Sequence, residues 1–263
     1  MLAVLILAPL AFGVSLLTLF TGFGLGTLLL PAFALFFPVA LAVAMTAVVH
    51  AANNLFKVAL LAGEARRDVV LRFGLPAVAA AFAGALLLTA LARGDPLHTW
   101  SFLGRPAEIT PVKLAAGSLV LVFSLFELVP RLRAWRAPVR WLPLGGALSG
   151  FFGGLSGHQG ALRAAFLTPL GLTPQAFAAT QAVIALLVDG ARLLVYGAGA
   201  ASLVDGAHAG EIPWTPVVAA SVAAFAGAWL GRRWLHKVTI SGLRALVGVL
   251  LLLVGAGLAL GIV

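Results

Sequence analysis

LPLGGALSGFFGGLSGHQGALRAAFLTPLGL, residues 142–172, is two apolar runs divided by a glycine-rich break, and it carries a single charge, Arg163. The break, Gly153-Gly154-Leu155-Ser156-Gly157, is too rich in glycine to continue a stable helix, so a short second segment begins near 161. The rest of the chain has the same character. Of its 263 residues 62% are hydrophobic and 10% charged, with a mean hydropathy of +1.11. A soluble domain carries about 25% charged residues. No water-soluble fold of this size hides so much apolar side chain, which excludes a soluble multi-domain enzyme and a disordered chain. The absence of Cys excludes disulfides, thiolate metal sites and a cysteine nucleophile. The chain reads as an all-α integral membrane protein.

Apolar segments lie near 2–20, 27–38, 39–61, 72–92, 111–130, 142–155, 161–172, 176–198, 213–230 and 242–262. A helix needs about 20 apolar residues to cross the hydrocarbon core. Segments 27–38 and 161–172 fall short and either cross awkwardly or form re-entrant pairs, so eight to ten segments are expected in the membrane. The first segment has no basic stretch before it and reads as a retained helix. The net charge of +9 does not mark a nucleic-acid surface, because the Lys and Arg residues occupy short loops between apolar runs. Loops 62–72, 131–140 and 231–244 are basic, whereas 199–212 holds Asp205 and Glu211 without a Lys or Arg, and 93–113 is balanced. The positive-inside rule assigns the first three loops to the cytoplasm, giving a multi-pass protein of the bacterial inner membrane.

Sliding the chain along itself by 135 residues reveals a repeat. Thr46-Ala47-Val48-Val49 falls on Gln181-Ala182-Val183-Ile184, Asn54 on Asp189, Lys57 on Arg192, and Thr21-Gly22 on Ser156-Gly157. Polar residues match polar residues inside otherwise apolar segments. The expected layout is an N-terminal repeat 1–130, a basic cytoplasmic linker 131–141 and a C-terminal repeat 142–263. An odd number of segments per half turns the second half over. Inverted repeats with interrupted helices at matching positions are the build of many secondary transporters, whose sites lie near the midplane.

The two breaks, Thr21-Gly22-Phe23-Gly24-Leu25-Gly26-Thr27-Leu28-Leu29-Leu30-Pro31 and Gly153-Gly154-Leu155-Ser156-Gly157-His158-Gln159-Gly160-Ala161-Leu162-Arg163, resemble those of the TauE/SafE (TSUP, sulfite exporter) family. The resemblance covers most of the chain. It implies a non-enzymatic, cofactor-free carrier of sulfite, organosulfonates or related small anions, proton-linked or uncoupled. The chain differs from the family pattern in placing His158, Gln159 and Arg163 in the second break.

Three cations interrupt apolar segments: Lys57, Arg163 and Arg192. A charge at the bilayer centre costs at least about 2.5–3.5 kcal/mol, so such residues face the bundle interior or snorkel to a helix end. The repeat equivalence of Lys57 and Arg192 favours the interior. Arg163, near the start of a short helix, offers a guanidinium fork to an oxyanion. Asp189 lies three positions before Arg192 on one helix face, either as its ion-pair partner or as a proton carrier. Asn54 stands in its place in the first half, so Lys57 has no acidic neighbour there. His50 and His158 are candidate coupling residues or buried hydrogen-bond partners. Asn54, Thr21, Ser156, His158 and Gln159 are candidate neutral ligands, and Gly22, Gly24, Gly153 and Gly157 candidate hinges.

Two other classes compete. Gly154-Leu155-Ser156-Gly157 resembles the G-x-S-G of rhomboid intramembrane proteases, with Ser156 as nucleophile, but no histidine helix of the matching pattern follows. A cation or metal transporter would need clustered carboxylates, His or Met, and the interior offers one carboxylate against three cations. No metal site is expected. The reading is a secondary transporter, acting as an exporter, of a small anion.

Overall fold

The computed structural model describes residues 1–18, 25–199, 213–234 and 241–263. The helices are α1 Leu2–Thr18, α2 Leu25–Ala34, α3 Val39–Leu61, α4 Arg67–Leu91, α5 Pro111–Leu128, α6 Pro130–Ala134, α7 Leu142–Ser156, α8 Gly160–Leu167, α9 Pro174–Ala198, α10 Trp214–Trp234 and α11 Ser241–Ala259. Among the described residues, α3, α4, α9 and residues 214–231 of α10 are long and apolar enough to cross a membrane. The surface is the inverse of a soluble protein's. Leu71, Leu75 and Leu86 on α4, Leu194 on α9, Val222 on α10 and Leu253 on α11 are exposed, while Lys57, Arg163, Asp189 and Arg192 are buried. Trp135, Trp141, Trp214 and Trp229 are also exposed, flanking the apolar bands as an interfacial belt does.

Local signals fix the helix starts. Thr110-Pro111 and Thr173-Pro174 place a hydroxyl at the cap, accepting from Lys113 N and Ala176 N, with proline in the first turn where no N–H is needed. α4 carries one wide turn, Val70–Gly74, before its regular part. The expected loop 93–113 contains instead a hairpin, β1 His98–Phe102 with β2 Arg105–Ile109, antiparallel with His98 opposite Ile109. Leu103 and Gly104 turn it with φ of +50° and +76°. It docks on the C-terminus through Trp100 Nε1 donating to Leu260 O (2.9 Å) and Glu108 N to Gly261 O (3.2 Å).

Helix pairing is reciprocal between the halves. The first helix of 1–130, α1, packs on α10, the fourth of 142–263; α4 packs on α7, the reverse combination; α3 packs on α9, and α5 on α11. Glycine seams set the directions. A Cβ at Gly146, Gly150 or Gly154 of α7 would fall on the carbonyl of Phe73, Ala77 or Ala81 of α4, so the two run parallel with backbones touching. Gly227 and Gly231 of α10 meet Phe12 and Leu16 of α1 in the same sense. α5 and α11 run antiparallel, Gly117 against Ala259 and Leu121 against Gly255. So do α3 and α9, because Arg66 N, just beyond α3, donates to Thr180 Oγ1 near the start of α9 (3.0 Å).

The second break behaves as a re-entrant turn. Gly157, with φ of +81°, closes α7 in the left-handed region that a side chain would strain. α8 then returns the chain. Its Ala165 O accepts from Ala137 N (3.2 Å), ahead of the start of α7, and Phe166 packs against Gly145 and Trp135. With 10 and 8 residues, α2 and α8 rise about 15 and 12 Å, half or less of the hydrocarbon thickness of about 30 Å.

Candidate functional site

α3 and α9 bring their polar residues to one point. On α9, Asp189 and Arg192 are fully buried and paired: Arg192 donates to Asp189 Oδ1 from Nη2 (2.7 Å) and Nε (3.1 Å). Its Nη1 reaches Gly153 O in the break (3.3 Å) and fills the space a Cβ on Gly157 would need. On α3, one turn apart, His50 and Asn54 take the other carboxylate oxygen. His50 Nδ1 lies 2.7 Å from Asp189 Oδ2, and Asn54 Nδ2 donates to it at 3.0 Å. An ionised carboxylate only accepts, so the proton of that 2.7 Å contact belongs to Nδ1 of His50. Gln159 adds a fifth hydrogen bond, Nε2 to Asp189 Oδ1 (3.2 Å). A carboxylate at this depth is tolerated because every lone pair has a donor.

Gln159 also joins this network to a second one. Its Oε1 accepts from Arg163 Nη1 (2.9 Å), its backbone oxygen accepts from Ser149 Oγ (2.9 Å), and Arg163 Nε donates to Gln181 Oε1 (2.9 Å). Lys57, 8% exposed, lies close enough to Arg163 for the two charges to repel. It has no hydrogen-bond or ion-pair partner among the described residues. Asp189 attracts Arg163 but no acid reaches Lys57 among the described residues, so an anion beside Lys57 would complete this pair of cations.

Among the described residues, four buried polar atoms lack a partner: Thr46 Oγ1, Asn53 Nδ2, His158 Nε2 and Gln181 Nε2. Asn53 is held at its other end by Ser15 Oγ, 3.2 Å from Oδ1. Tyr196 Oη donates to Gly154 O, pinning α9 to the end of α7.

The structure thus gathers Lys57, Asn54, Arg163, Arg192 and Gln159 with His50, Asp189 and the break glycines Gly153 and Gly157. Ser156 and His158 lie apart from this network. Ser156 Oγ donates to Phe152 O (3.1 Å) and lies 3.1 Å from His158 Nδ1, whose ring stacks on Phe123 at 5.4 Å. With its only proton on Phe152, the Ser156 hydroxyl accepts from His158, which is the wrong polarity for a histidine base. Thr21, Gly22 and Gly24 lie outside the described residues. Among the described residues no three His, Asp or Glu side chains gather as a metal ion requires.

The sequence reading missed the hydrogen bond between His50 and Asp189, the anchoring roles of Ser149 and Tyr196, and the contact of Arg163 with Gln181. One signal was available. Asn54 and Asp189 are the residues that the 135-residue offset matches in the sequence, and here they touch.

The model of a protein family, described as sulfite exporter TauE/SafE, matches residues 7–258. No curated protein and no solved structure matches the chain.

Proposed function

The chain belongs to the sulfite exporter TauE/SafE family, membrane transporters of sulfur-containing anions, and we propose that it exports a small sulfur oxyanion or organosulfonate by alternating access of two inverted repeats. Lys57 carries the reading. It is a buried cation without a partner among the described residues, beside the Arg163 guanidinium. Unlike Arg192, whose charge Asp189 neutralises, it awaits a counter-charge. A pyramidal or tetrahedral oxyanion suits this pair, with one oxygen toward the Arg163 guanidinium and another toward the Lys57 ammonium. Asn54 and Gln159 supply neutral hydrogen bonds at the rim.

Reciprocal packing supports the inverted repeat. Exchanging the halves turns the α1–α10 pair into α7–α4, and returns α3–α9 and α5–α11 to themselves. Helices related by a twofold axis in the membrane plane run antiparallel, as these self-pairs do. With the basic end, residues 62–66 and 129–141, in the cytoplasm, the hairpin and the C-terminus lie outside. The re-entrant pair α7–α8 opens from the cytoplasmic side.

Flux in proteoliposomes tests the function, with sulfite, sulfate, thiosulfate, methanesulfonate and acetate, each with and without a pH gradient. Saturable flux of one sulfur anion, reduced at least tenfold in Lys57→Gln and Arg163→Gln variants that fold, is the expected result. Unchanged flux in both variants removes the site, and no flux from any of the sulfur anions removes the function. Acceleration by the gradient shows proton coupling, with His50, His158 and Asp189 as the candidate carriers.

A further inference from the structure

Thr46 and Gln181 occupy the same position in the two halves, and each buries a polar atom without a partner, Oγ1 and Nε2. Each stands eight positions before the contact of Asn54 with Asp189. Because α3 and α9 are antiparallel, the two fall on opposite sides of that contact, each about 12 Å from it along the axis at 1.5 Å per residue. Lys57 and Arg192 follow the contact by three positions, about 4.5 Å, again in opposite directions. Each side therefore holds a cation near the centre and an unsatisfied polar group farther out. Gln181 is tied to its side by Arg163, which donates to its Oε1 and leaves the Nε2 amide without an acceptor.

An unsatisfied buried donor or acceptor costs about 1–3 kcal/mol. Two of the unsatisfied atoms stand at matched positions, and both groups can donate to an anion. Resting on the anion reading above, we infer that the protein has two half-sites, one on each side of the α3–α9 contact. Lys57, Arg163 and Gln181 form the first, and Arg192 and Thr46 the second. Asp189 is the resident anion of the second half-site, taking the two Arg192 nitrogens that a sulfonate would take. An anion crossing from Lys57 to Arg192 advances about 9 Å along the axis and displaces the chain's own carboxylate from the guanidinium. Release returns Asp189 to Arg192, so that this guanidinium is never left bare while Lys57 stands ready for the next anion.

The chain contains no Cys, so Gln181→Cys and Thr46→Cys variants of the full chain, in sealed vesicles, report each side separately. A charged, impermeant maleimide is expected to label Gln181→Cys only from the face bearing residues 62–66, and Thr46→Cys only from the opposite face. Saturating methanesulfonate is expected to slow each reaction severalfold. Labelling of both from one face, or of neither from either face, overturns the two-sided arrangement. Opposite-face labelling that methanesulfonate leaves unchanged overturns the half-sites as anion sites. Ala42→Cys and Phe177→Cys, one turn farther out, serve where a first variant fails to assemble. A wild-type chain that moves none of the sulfur anions in the flux assay instead refutes the transport function, whatever the labelling.

Discussion

Replacing Lys57 and Arg192 by methionine in turn is expected to change stability in opposite directions, although the 135-residue offset matches the two in the sequence. Lys57 is buried and has no partner among the described residues, with the like charge of Arg163 nearby. A buried charge at membrane depth costs at least about 2.5–3.5 kcal/mol, and part of this is recovered through the 8% of the residue still exposed. Lys57→Met, similar in volume, removes that cost and a repulsion. A gain of about 1 kcal/mol is expected, which for a chain of this size is a rise of roughly 2–4 °C in Tm. Arg192→Met deletes two hydrogen bonds to Asp189 and one to Gly153, leaving a fully buried carboxylate with His50, Asn54 and Gln159. Breaking a buried pair from one side costs about 3–5 kcal/mol, so Tm should fall by roughly 6 °C or more. Thermal unfolding of the purified variants in one detergent, read by tryptophan fluorescence and by monodispersity, measures both. A Lys57→Met protein that melts below wild type would mean that Lys57 is structurally engaged, and the anion site built on it would fall.

Two further outcomes concern packing and the rival chemistry. Gly150→Ala places a methyl on the Ala77 carbonyl and forces α4 from α7, for a loss of about 1–3 kcal/mol, whereas Gly197→Ala on α9 meets open space and should gain about 0.5–1 kcal/mol in helix propensity. Equal melting shifts in the two variants would contradict the glycine seam. A fluorophosphonate probe should label Ser156 no more than a Ser156→Ala control, since the serine donates its proton to Phe152 and its histidine neighbour faces it as donor. Labelling that disappears in the control would restore the protease reading.

The spans were readable because each charge in a membrane segment is costly, so the long apolar runs with few charges coincide with the helices to within a few residues. The hairpin was not. His98-Thr99-Trp100-Ser101-Phe102 alternates too weakly to stand out from a polar loop, and its pairing is completed by the distant C-terminus at Leu260 and Gly261. Within the site, contacts along one helix were open to inspection: Asp189 with Arg192 at three positions, His50 with Asn54 at four. Contacts between halves were not, because His50 reaches Asp189 across 139 residues and spacing along one helix says nothing of the partner's rotation. Ser156 shows the reverse error. A hydroxyl in a glycine-rich break looks available, yet a helix supplies carbonyls one turn back, and Ser156 bonds to its own at Phe152.

On the inverted-repeat reading, Asn54 and Asp189 are equivalent residues of the two halves that touch and differ in charge. An exchange of the halves keeps this contact and swaps the surroundings of Lys57 and Arg192. With asparagine on both sides, neither cation would have a counter-charge and both would stay occupied by substrate. With aspartate on both, each would be neutralised and an arriving anion would meet repulsion from two carboxylates. A single carboxylate, on one side only, keeps one cation silent and the other receptive. Its five hydrogen bonds come from α3, from α9 and from the break residue Gln159, so any rocking of one half against the other must break some of them and reform them elsewhere. On this reading the carboxylate is the element that makes two pseudo-equivalent sites unequal in any one conformation. That inequality is the property a carrier requires if substrate is to enter from one face and leave from the other.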